Sequence, residues 1–217
     1  MRRVDIIRDP VVPAKIMRLE DVRMAHPGSP GVIFGKGPSL DTFDLPRRPD
    51  DIWMTLNEAC KVVDTPDYAF MSDTGVTCGL KAEGWHPDEG TLVVGKDVTF
   101  KHKNNRDWLE WIVGPEGTVL YLHPFPKDIL GGSSGCCALS IFKMMGIEDI
   151  LMVGFDAWTD LDNSGWSEKV NATMPESRLK WDYRSVNDTM RKALAITGLK
   201  PVWWHLEEAA VRETWNA

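Results

Sequence analysis

The sequence predicts an α/β fold: a doubly wound, mostly parallel sheet of about seven strands with helices on both faces and a lid segment. Two observations lead there. Short apolar, β-branched runs that end in a glycine or a polar residue recur along the chain, and segments with helical spacing follow them. The length, 217 residues, is ordinary for one α/β domain and sufficient for a substantial core without disulfide or metal staples.

Taken in order, residues 1–30 are interrupted by prolines, end in His26-Pro27-Gly28-Ser29-Pro30, and read as an N-terminal arm or short helix, Ala14 to Met24. Residues 31–217 read as one domain. Its strand runs are Gly31–Gly35, Asp51–Leu56, Tyr68–Ser72, Thr91–Gly95, Thr118–Leu122, Asp149–Phe155 and Pro201–Trp204. Helical segments lie between them at Asn57–Val63, Thr74–Glu83, Asn105–Ile112, Ser134–Met145 and Tyr183–Thr197, with a last helix over Glu207–Trp215. Ser133-Ser134 can cap the segment that Gly146 ends, as serine at the N-cap and glycine after the C-cap commonly do. That helix is apolar nearly all round and should be packed deeply. Asp182 can cap the helix in which Val186, Met190, Ala193, Leu194 and Thr197 recur at helical spacing. Thr91–Gly95 and Thr118–Leu122 can alternatively pair as a hairpin-like insertion. Residues 157–180 have no clear period, and a stretch of that kind is usually a lid, a binding loop or a disordered patch.

The formal net charge of −7 argues against general nucleic-acid binding, which needs a basic surface to displace counterions. Met1 to Pro10 carry positive charge without an apolar core segment, so they do not read as a signal peptide. No apolar run approaches the roughly 18 residues of a membrane span. Cys60, Cys78, Cys136 and Cys137 form no metal-binding spacing and read as free buried thiols, which fits a reducing, cytoplasmic compartment. The ten tryptophans are scattered and read as core or pocket-wall residues.

The chemistry is expected at one edge. In an open parallel sheet, ligands bind outside the carboxyl ends of the strands. The residues closing the runs there are Gly35-Lys36-Gly37-Pro38-Ser39, Asn57, Ser72-Asp73, His123, Asp156 and His205. Two glycines let a backbone turn tightly and bring its N–H groups close to a ligand. Pro38 suits the first turn of a helix. A helix N-terminus offers N–H groups and the positive end of its dipole to an anion, and Lys36 adds a full charge. The loop is neither a GxGxxG fingerprint nor a Walker A loop. Gly131-Gly132-Ser133-Ser134-Gly135 is a second polar glycine loop before a helix, fit for an anion or a sugar hydroxyl.

The ordered set Gly35-x-Gly37-Pro38-Ser39-Leu40, Asn57, Ser133-Ser134-Gly135 and Gly146-Ile147-x-x-Ile150-x-x-Val153-Gly154-Phe155-Asp156 resembles the bacterial sialyltransferases of glycosyltransferase family 42. It also resembles the MptE-like superfamily of hydroxymethylpterin diphosphokinases and flagellin-modification accessory proteins. The similarity covers roughly residues 31–206. It implies a Rossmann-like domain with a nucleotide over the first glycine loop. By position, it implies that Gly35, Gly37 and Ser39 contact the phosphate and ribose and that Asn57 contacts the transferred group. Ser133, Ser134 and Gly135 would lie along the nucleotide, and Asp156 would close the sixth strand beside it. The chain departs from the sialyltransferase pattern in two places. Lys36 stands where those enzymes usually carry Asn, and residues 157–199 lack the His that serves them as general base. Tyr183 is the only tyrosine of that stretch, where a pair is expected.

A base must then come from His123, from His205 or from a carboxylate such as Asp156. Asp160-Leu161-Asp162, following Asp156, is a DxD sequence whose hard oxygens suit Mg²⁺ or Mn²⁺ against a diphosphate. The expected function is a nucleotide-binding transferase, a glycosyltransferase taking a nucleotide-sugar donor and a carbohydrate or other small-molecule acceptor. The alternatives are a Mg²⁺-dependent diphosphokinase or nucleotide hydrolase, and a non-catalytic nucleotide-binding domain. Association into a homo-oligomer is compatible with the sequence and not decided by it.

Overall fold

A computed structural model of the chain describes residues 15–71, 74–95, 118–121, 133–158, 167–170 and 183–215. These residues build one parallel sheet of eight strands: β1 Lys15–Arg18, β2 Gly31–Phe34, β3 Ile52–Leu56, β4 Tyr68–Met71, β5 Leu92–Gly95, β6 Thr118–Tyr121, β7 Ile150–Val153 and β8 Val202–Trp203. The spatial order is β1-β6-β5-β4-β3-β2-β7-β8, and every pairing among the described strands is parallel. The helices are α1 Thr74–Ala82, α2 Ser134–Met145, α3 Tyr183–Thr197 and α4 Trp204–Trp215. Short 3₁₀ turns cover Leu19–Val22, Pro38–Leu40, Asn57–Lys61 and Asp156–Trp158.

Strands buried on both faces read as continuous apolar runs, which is why the inner strands are legible in the sequence. Successive side chains nonetheless go to opposite faces. On β7, Ile150 and Met152 join the core beneath α2 and α3, whereas Leu151 and Val153 join the core beneath α4. On β4, Tyr68 and Phe70 take the first of these faces, and Ala69 and Met71 pack with Val76 and Leu80 of α1 on the other. Helix α2 is the deepest layer, with Cys136 to Phe142 all buried. Ser133 caps it by accepting from Cys136 N, and Gly146 closes it in the left-handed region (φ 85°). In α4 the helical geometry breaks at Glu207 (φ −125°), so the expected start at Glu207 marks the second of two joined segments.

The N-terminal arm is corrected. In the stretch read as an arm or short helix, Lys15–Arg18 form the edge strand β1, followed by the 3₁₀ turn Leu19–Val22. Lys15 to Arg18 pair with Thr118 to Tyr121, more than a hundred residues away. No local period can report such a partner. The hairpin alternative for β5 and β6 is also overturned, because the two strands pair parallel. The segment expected as a helix after β3 is a 3₁₀ turn ending at Lys61. The helix over Asn105–Ile112 and the Asp182 cap lie outside the described residues, as does the lid apart from residues 157–158 and 167–170. All four cysteines are free. Cys60, Cys136 and Cys137 are buried, and Cys78 is half-buried. Among the described residues no helix is long and apolar enough to cross a membrane.

Candidate functional site

Strand order fixes the location of the site. From β2 the chain moves one way to β3, β4, β5 and β6, and later places β7 and β8 on the other side of β2. The β2–β7 pair is therefore the topological switch point, where the connections leave in opposite directions. Gly35 to Ser39 leave β2 at this point, and Gly154 to Asp156 leave β7.

The two turns are locked together. Gly35 N donates to Val153 O at 2.7 Å, and Gly37 N donates to Gly154 O at 2.9 Å. The Asp156 carboxylate accepts Ser39 N at 3.1 Å from each oxygen and Ser39 Oγ at 2.9 Å. Ser39 Oγ in turn accepts Gly154 N at 3.0 Å. A side-chain carbon on Gly37 would stand 2.3 Å from Asp156 Oδ2, so glycine is required there for the approach. Gly154 has φ 75° and meets the backbone of Gly35 and Gly37. Asp156 is 3% exposed, and a carboxylate so deep needs donors aimed at it.

One expectation is thereby corrected. The N–H groups of Gly37 and Ser39 do not point into the crevice as anion donors; a carbonyl and the chain's own carboxylate hold them. The 3₁₀ turn Pro38–Leu40 is also a single turn, with little dipole to offer. Asp156 serves Ser39 with both oxygens and so positions the loop.

On the β3 side, polar groups from three elements converge. Asn57, at the end of β3, is buried and has φ 54°, a left-handed conformation that is uncommon for a non-glycine residue. Its Nδ2 donates to Ser134 Oγ at the first turn of α2, 3.3 Å away. The next residue, Glu58, pairs with Lys36 of the glycine loop at 2.6 Å. Ser133 spends its hydroxyl on the α2 cap, and Gly135 packs under Phe155 and Met190. The structure thus brings Lys36, Asn57 and Ser134 to one corner.

On the other side, His205 lies in the first turn of α4, directly after β8. Burial holds it below the ordinary histidine value, and the nearby Asp156 charge opposes that shift only in part. Trp203 stacks on Trp158 (5.0 Å, 16°), and Arg191 lies over the Trp158 ring at 5.5 Å. Asn187 of α3 donates to the carbonyls of Ala157 and Trp158 and fixes the turn that leaves β7.

Residues 167–170 are anchored too. Ser167 N donates to Lys36 O at 2.7 Å, while Asp41 accepts Ser167 Oγ, Glu168 N and Lys169 N. Those donors hold the Asp41 carboxyl below the usual carboxylate range against the opposing effect of burial. Asp73, His123, Asp160 and Asp162 lie outside the described residues. Among the described residues, no three His, Cys, Asp or Glu side chains converge to hold a metal ion. Glu58, Asp41 and Ser167 were missed by sequence reasoning. Glu58 carried a signal, since it follows Asn57 at a strand end, but its partner Lys36 is 22 residues away. Comparison with family models, curated proteins and solved structures returns no match for this chain.

Proposed function

We propose that the chain is a nucleotide-binding transferase, a glycosyltransferase that takes a nucleotide-sugar donor across the carboxyl edge at the switch point. The observation that carries this reading is the corner made by Asn57 and Ser134. A strained backbone, a buried amide and a serine at the first turn of a long helix meet beside β2. Such strain persists only where the surroundings enforce it, and it collects at ligand sites. The order of the motifs supports the same reading, because the residues that resemble the family 42 sialyltransferases in sequence are neighbours here.

In this reading the nucleotide lies on the β3 side, against Lys36, Asn57 and the start of α2. His205, kept neutral by burial, is the proton acceptor for the acceptor hydroxyl. Three interstrand spacings of about 4.8 Å separate the ends of β3 and β8, roughly 14 Å, a span that a nucleotide sugar bridges. A non-catalytic ligand-binding domain is the second reading. It draws on Asp156, whose carboxylate is committed to Ser39 rather than to a substrate.

Isothermal titration against a panel of nucleotides and nucleotide sugars, followed by product analysis with carbohydrate acceptors, tests both. Binding followed by sugar transfer supports the transferase, and binding without turnover supports the second reading. If nothing in the panel binds at millimolar concentration, both are wrong. Turnover that survives EDTA removes the Mg²⁺-dependent diphosphokinase alternative.

A further inference from the structure

The first glycine loop carries an ion pair into the site. Lys36 stands between Gly35 and Gly37, and its Nζ lies 2.6 Å from Glu58 Oε2. The two side chains are 12% and 17% exposed. Removing one member of so withdrawn a pair leaves the other charge uncompensated, so the two are strongly coupled. The pair joins the ends of β2 and β3 at the switch point, next to Asn57. The main-chain donors beside it are taken: Gly37 N by Gly154, and Ser39 N by Asp156. The Lys36 ammonium is the cationic group of this corner, and Glu58 is an acceptor on it that an incoming anion can replace.

We propose that Lys36 and Glu58 form an exchangeable ion pair that selects the ligand: the phosphate of a bound nucleotide takes the place of Glu58 on Lys36. This deepens the nucleotide reading above and rests on it. A phosphate oxygen and a carboxylate oxygen are equivalent acceptors for an ammonium, so the exchange preserves the charge-assisted bond. Lysine suits an exchange because its charge is compact and its stem flexible, whereas the guanidinium fork of arginine favours one fixed planar partner. The exchange has a cost, since Glu58 must turn away and be solvated. A phosphate attached to a nucleoside meets that cost from the nucleoside's own contacts. A nucleoside alone makes no demand on Lys36 at all.

The test is calorimetric titration of the full chain with uridine, cytidine and their 5′-monophosphates. It compares the unaltered protein with Glu58→Gln and with the double variant Lys36→Gln/Glu58→Gln. The double variant removes both charges of the pair together. In Glu58→Gln, the monophosphates bind about tenfold more tightly, the scale of one hydrogen bond to a charged group, and the nucleosides are unchanged. In the double variant, the preference for monophosphate over nucleoside disappears. An unchanged ratio of monophosphate to nucleoside affinity across the three proteins overturns the exchange and leaves the nucleotide site standing. Failure of all three proteins to bind any nucleoside or nucleotide overturns the nucleotide reading itself.

Discussion

Asp156 receives both the backbone N–H and the hydroxyl of Ser39, a residue 117 positions earlier in the chain. The contact ties the turn after β2 to the turn after β7. It also reassigns a loop that reads as an anion cradle. The cradle exists, and a carboxylate of the same chain occupies it.

Asp156→Ala should therefore act on stability. It leaves Ser39 N and Oγ without their acceptor at a buried position, a loss of about 2–4 kcal/mol at the scale of hydrogen bonds to charged groups. Asp156→Asn keeps one acceptor oxygen and should lose about half as much. Urea unfolding monitored by circular dichroism measures both. Equal stability of Asp156→Ala and the unaltered protein would remove the latch.

Gly37→Ala probes the same approach from the other side. The added carbon meets Asp156 Oδ2 at 2.3 Å, so the turn must open, and an overpacked site of this kind loses about 1–3 kcal/mol. Gly79→Ala is the control. Gly79 lies in α1 with nothing near the added carbon, and alanine there should stabilise by about 0.8–1 kcal/mol through helix propensity. Opposite signs for the two substitutions in thermal unfolding are the expected result.

At Asn57 the backbone and side-chain contributions can be separated. Alanine at φ 54° incurs the left-handed penalty of about 1–2 kcal/mol, which glycine avoids. Both substitutions remove the amide that donates to Ser134. Asn57→Ala should thus be less stable than Asn57→Gly by that penalty, while ligand binding is weakened in both. If the two variants unfold at the same denaturant concentration, the backbone is not strained.

The pH dependence follows from His26 and His205, both lowered from an ordinary value of 6.5 by burial. The nearby Asp67 and Asp156 charges oppose the two shifts. Above 6.5 both are neutral in folded and unfolded chains, and neither affects folding. As pH falls through 6.5, the unfolded chain takes up these protons first, so stability drops, and the drop is complete once pH lies below the folded values. Melting temperature should decline across this window, with a shallower slope in His205→Gln and in His26→Gln. In Asp156→Asn, loss of the carboxylate charge should move the His205 proton resonance titration to still lower pH.

The inner strands β2, β3, β4 and β7 were legible because both of their faces are covered by helices, so their apolar runs are unbroken. The ends of α2 were legible because Ser133 and Gly146 act on backbone groups within one helical turn. Of the site, the sequence named Lys36, Asn57 and Asp156 from their places at run ends and Ser134 from the glycine-serine loop before a helix, but it could not pair them. Edge strand β1 escaped because its partner is β6, and nothing within its four residues records that.

By itself, then, the sequence determined the class of fold, which follows from local periodicity and from the residues that close each run. The tertiary structure decided which donors remain for a ligand. Whether Ser39 N meets an external anion or Asp156, and whether Lys36 faces solvent or Glu58, depends on groups far apart in the chain. Only the crossing of the connections at β2 brings those groups to hydrogen-bonding distance.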